Sequence, residues 1–165
     1  VIETERLLLR PLATDDVDAF VALHADERVN RFVGAYTPEQ ARVRLAEIER
    51  QWAERGHGLC AVELKADGRF IGRVGLNYWA ELDEVELGWT LAAESWGHGY
   101  ATEAARACLD WGFATLDDEY FIALIHPANT ASARVAERLG FAPRREEMFM
   151  GNRVTVHVVD APPRA

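Results

Sequence analysis

The run Trp96-Gly97-His98-Gly99-Tyr100-Ala101-Thr102-Glu103-Ala104 decides how this chain is read. It separates a stretch with period-two alternation, Glu84–Leu91, from a stretch with helical spacing, about Tyr100 to Leu116. In the first, Val85, Leu87, Trp89 and Leu91 share one face, and Glu84, Glu86, Gly88 and Thr90 share the other, which predicts a strand with two distinct sides. In the second, Ala101, Ala104, Ala105, Cys108 and Gly112 form a face built for close packing. The two glycines of the connecting loop let backbone or ligand approach where a Cβ would clash. Just beyond them, the first turn of the helix offers N–H groups with no partner inside the helix, at the positive end of its dipole. The segment therefore predicts a cradle for a phosphate or pyrophosphate.

Working outward, Phe121–Ile125 is a nearly continuous apolar run, as a buried central strand should be. The unit from Glu84 to Ile125 is then a strand–loop–helix–strand crossover, right-handed and parallel. Ligands on such units bind beyond the carboxyl ends of the strands, which brings His126, Pro127 and Asn129 beside the glycine loop. Toward the N-terminus, Arg6–Leu12 reads as a strand, and Thr14 as the N-cap of a helix carrying Val17, Phe20, Val21 and His24. Thr37-Pro38-Glu39-Gln40 combines a capping box with proline at the first helical position, and the helix buries Ala41, Leu45, Ile48 and Trp52 before Gly56 ends it. A hairpin follows, Leu59–Leu64 and Phe70–Leu76, turned at Asp67-Gly68, with Gly72 and Gly75 marking a bulge or a close backbone approach. Toward the C-terminus, a helix over Thr130–Leu139 stops at Gly140, and Val154–Val159 closes the sheet. Repeats and linkers are absent, so residues 1–165 read as a single α/β domain.

Composition narrows the function classes. Apolar residues make up 49% and charged residues 27%, ordinary for a globular protein. A formal net charge of −9 without a basic stripe argues against nucleic acid as a partner and is compatible with a cationic, amine-bearing substrate. Cys60 and Cys108 lack CxxC or zinc spacing and read as reduced core residues, so no metal site is expected. With no signal-peptide pattern and no apolar run of roughly 18 residues, the expected location is cytoplasmic, away from membranes. The glycines are not a Walker loop, since no Gly-Lys-Ser/Thr follows. They match a dinucleotide fingerprint poorly: Thr102 stands where the third glycine belongs, and the following strand ends in His126-Pro127 rather than in an acidic residue.

The segment Trp96–Ala104 resembles the acetyl-CoA pyrophosphate loop of the GNAT acyltransferases, and most closely the branch of the RimJ and RimL ribosomal-protein N-terminal acetyltransferases. Thr4-Glu5-Arg6-Leu7-Leu8-Leu9-Arg10-Pro11-Leu12 is similar to that branch's opening strand, Glu86-Leu87-Gly88-Trp89 to its fourth strand, and Asn129-Thr130-Ala131-Ser132 through Arg138-Leu139-Gly140-Phe141 to its late helix. Trp96 departs from the Gln or Arg of many superfamily members, a variation associated with this branch. The resemblance implies a splayed, mostly antiparallel sheet of six to seven strands, interrupted by the parallel crossover, with helices on both faces. It also implies acetyl-CoA as cosubstrate and direct attack of a primary amine on the thioester. Such chemistry needs a base for the ammonium, a donor for the oxyanion and an acid for the thiolate, and no covalent acyl-enzyme.

On this resemblance Glu86 is the expected base, with Glu84 on the same strand face as its rival. Ser132 is the expected acid or thiol-binding group, because the helix position that often holds tyrosine is Ala136 here; the alternative is a serine that only satisfies the first helical turn. The N–H groups of Gly97, Gly99, Tyr100, Ala101 and Thr102 are expected around the pyrophosphate, with Trp96 in the same loop and His98 either sensing phosphate charge or simply solvated. The backbone of Trp89, Thr90 and Leu91 is expected to pair with the pantetheine arm as an added strand, and Asn129 to cap the last helix and bond the same arm. Tyr78, Trp79 and Trp89 either line the acceptor pocket or pack in the core, and the Arg31–Tyr36 loop with the second helix forms one wall. The acceptor is a protein or peptide α-amine or a small-molecule amine such as an amino acid, polyamine or aminoglycoside-like compound. A CoA-binding sensor or interaction module without turnover is the rival outside the enzyme class. The chain is expected to be a monomer, or a homodimer through the exposed edge of the last strand.

Overall fold

The computed structural model describes residues 1–163. Its sheet has eight strands, one more than the upper end of the expected range. They are β1 (Ile2–Glu3), β2 (Leu7–Pro11), β3 (Leu59–Leu64), β4 (Phe70–Trp79), β5 (Glu84–Leu91), β6 (Tyr120–Ile125), β7 (Ala142–Phe149) and β8 (Asn152–Asp160), in the spatial order β1-β2-β3-β4-β5-β6-β8-β7. All neighbours are antiparallel except β5 and β6, whose register contains a single pair, Glu86 opposite Ile122. Past that pair the two strands part, and the open sheet splays into a β1–β5 half and a β6–β8–β7 half.

The helices are α1 (Val17–Ala25), α2 (Glu27–Asn30), α3 (Pro38–Arg55), α4 (Tyr100–Thr115) and α5 (Thr130–Arg138). The Thr37 box forms as its sequence requires: the Thr37 hydroxyl accepts from Gln40 N–H at 3.1 Å, and the Gln40 side chain accepts from Thr37 N–H at 2.9 Å. At the other end Gly56 adopts φ 75°, the left-handed C-cap. One face of the sheet packs Leu12, Phe20, Leu45, Ile48 and Leu59 under α1 and α3. The opposite face packs Leu76, Leu87, Ala104, Cys108 and Phe121 under α4, and a smaller cluster of Ile122, Val154, Val156 and Val158 fills the C-terminal half. Helix α4 approaches the sheet closely at Gly112, where an added Cβ would lie 2.6 Å from Leu76 Cδ1 and 3.0 Å from the Phe121 ring.

Two expectations are corrected. Thr14 does not cap α1: it opens a 3₁₀ turn, Thr14–Asp16, and its N–H and hydroxyl both donate to Glu49 Oε1, at 2.6 and 3.1 Å. Asp16 instead fixes that entry, accepting Ala13 N–H and both outer nitrogens of Arg10. The last strand has no exposed edge, because β8 lies between β6 and β7. The outer strand is β7, whose Ala142-Pro143-Arg144-Arg145-Glu146-Glu147 carries no apolar alternation and so gives no strand signal. Proline and charge along an edge are what discourage a further chain from pairing there.

Candidate active site

The parting of β5 and β6 opens a cavity of about 1640 Å³ that runs from the Gly97–Thr102 loop, through the split, to the loop between α2 and α3. The cavity is lined by Gly97, Gly99, Tyr100, Ala101 and Thr102 at one end and by Phe32, Val33, Tyr36 and Arg44 at the other.

At the loop end, Gly97 and Gly99 take φ 79° and 80°, conformations that any Cβ would strain. The first α4 bond runs from Glu103 N–H to Gly99 C=O, so the N–H groups of Tyr100, Ala101 and Thr102 have no partner within the helix. The loop is anchored from the far edge of the sheet. Glu103 accepts from the Thr4 hydroxyl at 2.6 Å, Arg6 N–H at 3.0 Å and Arg6 Nε at 2.7 Å, and the Arg6 guanidinium lies 4.3 Å over the Tyr100 ring. Burial pushes the Glu103 pKa up, but the hydrogen bonds from Thr4 and Arg6 and the Arg6 charge outweigh it and hold the carboxyl below its ordinary value. Two of the four sequence segments that carry the resemblance, at Thr4–Arg6 and Gly99–Glu103, thus meet in space. Trp96 folds back so that its Nε1–H donates to Leu91 C=O at 3.0 Å, and its ring lines the cavity while half exposed. His98 does not line the cavity; it is exposed, with its ring 5.5 Å from that of Tyr100.

Along the split, Gly88–Leu91 is paired with β4 on one side only, leaving the other backbone edge without a strand partner. Gly88 faces open space: an added Cβ would meet only the Glu86 carboxylate, 3.9 Å away. On the opposite wall, Asn129 caps α5 by accepting Ser132 N–H at 3.2 Å, and Ser132 is half-buried on the cavity surface.

Glu86 lies at the vertex where the strands part. Its Oε1 accepts from Trp79 Nε1–H at 2.8 Å and its Oε2 from Leu124 N–H at 3.3 Å, a backbone donor that the splay has left without a strand partner. Burial pushes its pKa up, opposed by those two hydrogen bonds and by the charges of Arg73 and Arg44. Glu84 is different. Its oxygens are taken by Arg145 at 2.7 Å and the Tyr120 hydroxyl at 2.8 Å, and it is not part of the cavity lining. Of the aromatic candidates, Trp79 and Trp89 line the cavity; Tyr78 points away, bonding Asp83 at 2.8 Å beneath the Arg55 guanidinium.

Sequence reasoning missed the polar face of β4. Arg73 stands opposite Thr90 and Asn77 opposite Glu86, so both project toward the face that carries the base candidate. A charged residue in the middle of a strand paired on both sides was the available signal.

The family model described as "Acetyltransferase (GNAT) domain" matches residues 6–142. An N-acetyltransferase p20 of Bacillus licheniformis is 30% identical over 143 residues, covering 84% of this chain and 80% of that one. The protein YkkB of Bacillus subtilis is 44% identical over 91 residues, so the match spans about half of either chain, 53% of each. An acetyltransferase structure from Agrobacterium tumefaciens superposes with a TM-score of 0.82 at 33% identity, covering 96% of this chain and 92% of that one. Likeness of fold alone extends to the coenzyme A complexes of RimL, a ribosomal L7/L12 α-N-protein acetyltransferase (TM-score 0.77, 17% identity, 95% of each chain), and of aminoglycoside acetyltransferase AAC(6')-Ib (TM-score 0.78, 18% identity, 93% of this chain and 94% of that one).

Proposed function

The chain belongs to the GNAT acetyltransferase family, and from that premise we propose that it moves an acetyl group from acetyl-CoA directly onto a primary amine held in the split between β5 and β6. The observation that carries this reading is Glu86: a carboxylate at the floor of the cavity, gripped by two neutral donors, with its pKa raised by burial toward the range where a general base works. Acetyl-CoA supplies a thioester carbonyl already reactive toward a neutral amine. The groups at hand fit its parts: two left-handed glycines and a bare helix N-terminus for the pyrophosphate, and the unpaired edge of Gly88–Leu91 for the amide-bearing arm. Leu91 C=O enters that edge already engaged by Trp96.

Glu86 takes the proton that the ammonium must lose, directly or through one water. Glu84, neutralised by Arg145, is not used for this step. Ser132 supports the departing thiolate with its hydroxyl; Ala136, buried against the core, offers no hydrogen bond there. The acceptor enters between the Arg31–Tyr36 loop and β4, beside Phe32, whose ring lies tilted against that of His126 with centroids 5.0 Å apart. A peptide or protein α-amine, as in the RimL-like branch, is one form of that acceptor, and a small-molecule amine is the other.

The test is a calorimetric titration with acetyl-CoA, with NADH as control, followed by thiol release in the presence of an amine panel. Stoichiometric binding of acetyl-CoA alone, and thiol release that depends on an amine, is the expected result. Binding with slow hydrolysis but no amine dependence would replace the enzyme by a CoA-binding sensor, and binding of NADH alone would overturn the reading of the loop.

A further inference from the structure

The acceptor end of the cavity carries a charge pattern opposite to that of the protein. The chain has a net charge of −9, yet arginines outnumber carboxylates seven to three in the cavity lining. Arg134 and Arg138 lie on α5, near the loop end, where cofactor phosphates would account for them. Arg73 has no such explanation. It is half-buried in the centre of the sheet, on a strand paired on both sides. The other arginines that escape full exposure have oxygen partners: Arg10 binds Asp16 and Glu63, Arg44 binds Asn77 and Glu47, and Arg145 binds Glu84 and Glu147. Among the described residues, no carboxylate comes within ion-pair distance of Arg73.

What holds Arg73 is a neutral group. His24 is fully buried, and its Nδ1 lies 2.8 Å from Phe20 C=O, so that nitrogen carries the proton and Nε2 is left as an acceptor. Arg73 Nε donates to that Nε2 at 3.2 Å. Burial and the Arg73 charge push the His24 pKa down to about 4, which keeps the ring neutral at ordinary pH. The guanidinium is thus oriented through Nε but not neutralised, and Arg73 lines the cavity. The charged and titratable groups that act on it are Tyr36 and Glu86, which favour its charge, and Arg44, which opposes it. Glu86 spends its own oxygens on Trp79 and Leu124.

Resting on the acetyltransferase reading, we infer that the acceptor is a small amino carboxylate, its ammonium facing Glu86 and its carboxylate docked on the Arg73 guanidinium. A planar fork of N–H donors matches a carboxylate in a bidentate manner. An acceptor with several positive charges, such as a polyamine or an aminoglycoside, would be repelled by Arg73 and Arg44 together. A peptide α-amine has a neutral amide where the carboxylate would sit and would leave Arg73 desolvated and unpaired. The net charge, compatible with a cationic, amine-bearing substrate, describes the whole chain and not this chamber.

The experiment compares kcat/KM for thiol release, at saturating acetyl-CoA, among free α-amino acids, their C-terminal amides and matching dipeptides. The expected result is a preference of at least tenfold for the free acid over the amide and the dipeptide, carried mainly in KM. Arg73→Gln should bring the acid down to the rate of its amide, and Arg73→Lys should restore part of the difference. Should Arg73→Gln fail to fold, the acid–amide comparison in the unaltered protein stands alone. A turnover-independent arm titrates the CoA-loaded protein with an N-acetylated amino acid and with its amide, where only the acid should bind measurably. Equal use of acid and amide, a better dipeptide, or a preference that survives Arg73→Gln would overturn the inference and leave the acetyltransferase reading in place. Acetylation of no amine, with no binding of either N-acetyl compound, would overturn both.

Discussion

At the scale of single residues, the site is a set of polar groups whose partners have been chosen to be neutral. Glu86 is held by an indole and a backbone N–H, Arg73 by an imidazole, while the neighbouring Glu84 and Arg10 are locked into ion pairs. Uncompensated groups cost stability and gain reactivity, the usual exchange at functional sites. His24 makes that cost measurable. Its folded pKa of about 4 lies below the ordinary 6.5, so the unfolded chain takes up the proton first. The stability it contributes is therefore complete above pH 6.5 and is lost as pH falls toward 4, about 3 kcal/mol over that window. His24→Gln, whose amide offers both the donor for Phe20 C=O and the acceptor for Arg73, should flatten this part of the curve. Urea midpoints at pH 7, 5.5 and 4 check it: the unaltered protein should lose stability relative to the variant as pH falls, and parallel curves would show that His24 does not titrate in this way. The carboxylates and imidazoles involved were only half visible in the sequence. Glu86 was legible as one of two glutamates on a strand face and was preferred on the resemblance; the Arg145 partner of Glu84 was not legible, because it arrives from β7, 61 positions along the chain.

At the scale of elements, the helix that follows the glycine loop is held against the sheet by close packing. Helix α4 has small residues along one side, and Gly112 brings it against Leu76 and Phe121 with no room for a methyl group. Gly112→Ala should destabilise the fold by about 1–3 kcal/mol, because both neighbours are buried and packed. In a protein of this size that lowers Tm by roughly 2–12 °C, read by calorimetry, while acetyl-CoA affinity of the folded fraction stays within a few-fold. A Tm equal to that of the unaltered chain would mean that α4 can retreat at no cost. The elements legible in sequence were those with a local signature: the Thr37 capping box, the Asp67-Gly68 hairpin, the alternating β5 and the continuous β6. Those missed have no local signature. Strand β1 is two residues long, α2 is four, and β7 is a charged edge whose pairing is dictated by β8. Thr14 looked like a cap, but Glu49 on α3, distant in sequence, claims its donors.

At the scale of the whole molecule, one defect in one sheet creates the site. Seven continuous pairings would give an unbroken sheet; the parallel β5–β6 pair ends at Glu86 and Ile122, and the split that follows opens the cavity. The parallel crossover was legible from the order of strand, glycine loop, helix and strand, and so was the face of the split that meets the loop. The depth of the cavity and its positive lining were not, because they arise from side chains brought together by β4, α1 and α3. Net charge, a sum over the whole chain, carries no information about where the charges lie. The account stands or falls on Glu86 as the base at the vertex. The measurement that tests it most directly is kcat/KM against pH for the unaltered protein and for Glu86→Gln, with acetyl-CoA and an accepted amine. The unaltered protein should show an ascending limb governed by an ionisation above the ordinary carboxylate range, as burial of Glu86 requires. Glu86→Gln should lose about 10²–10⁴-fold in rate together with that limb, at unchanged acetyl-CoA affinity. A variant that keeps the rate and the same pH profile would contradict the account.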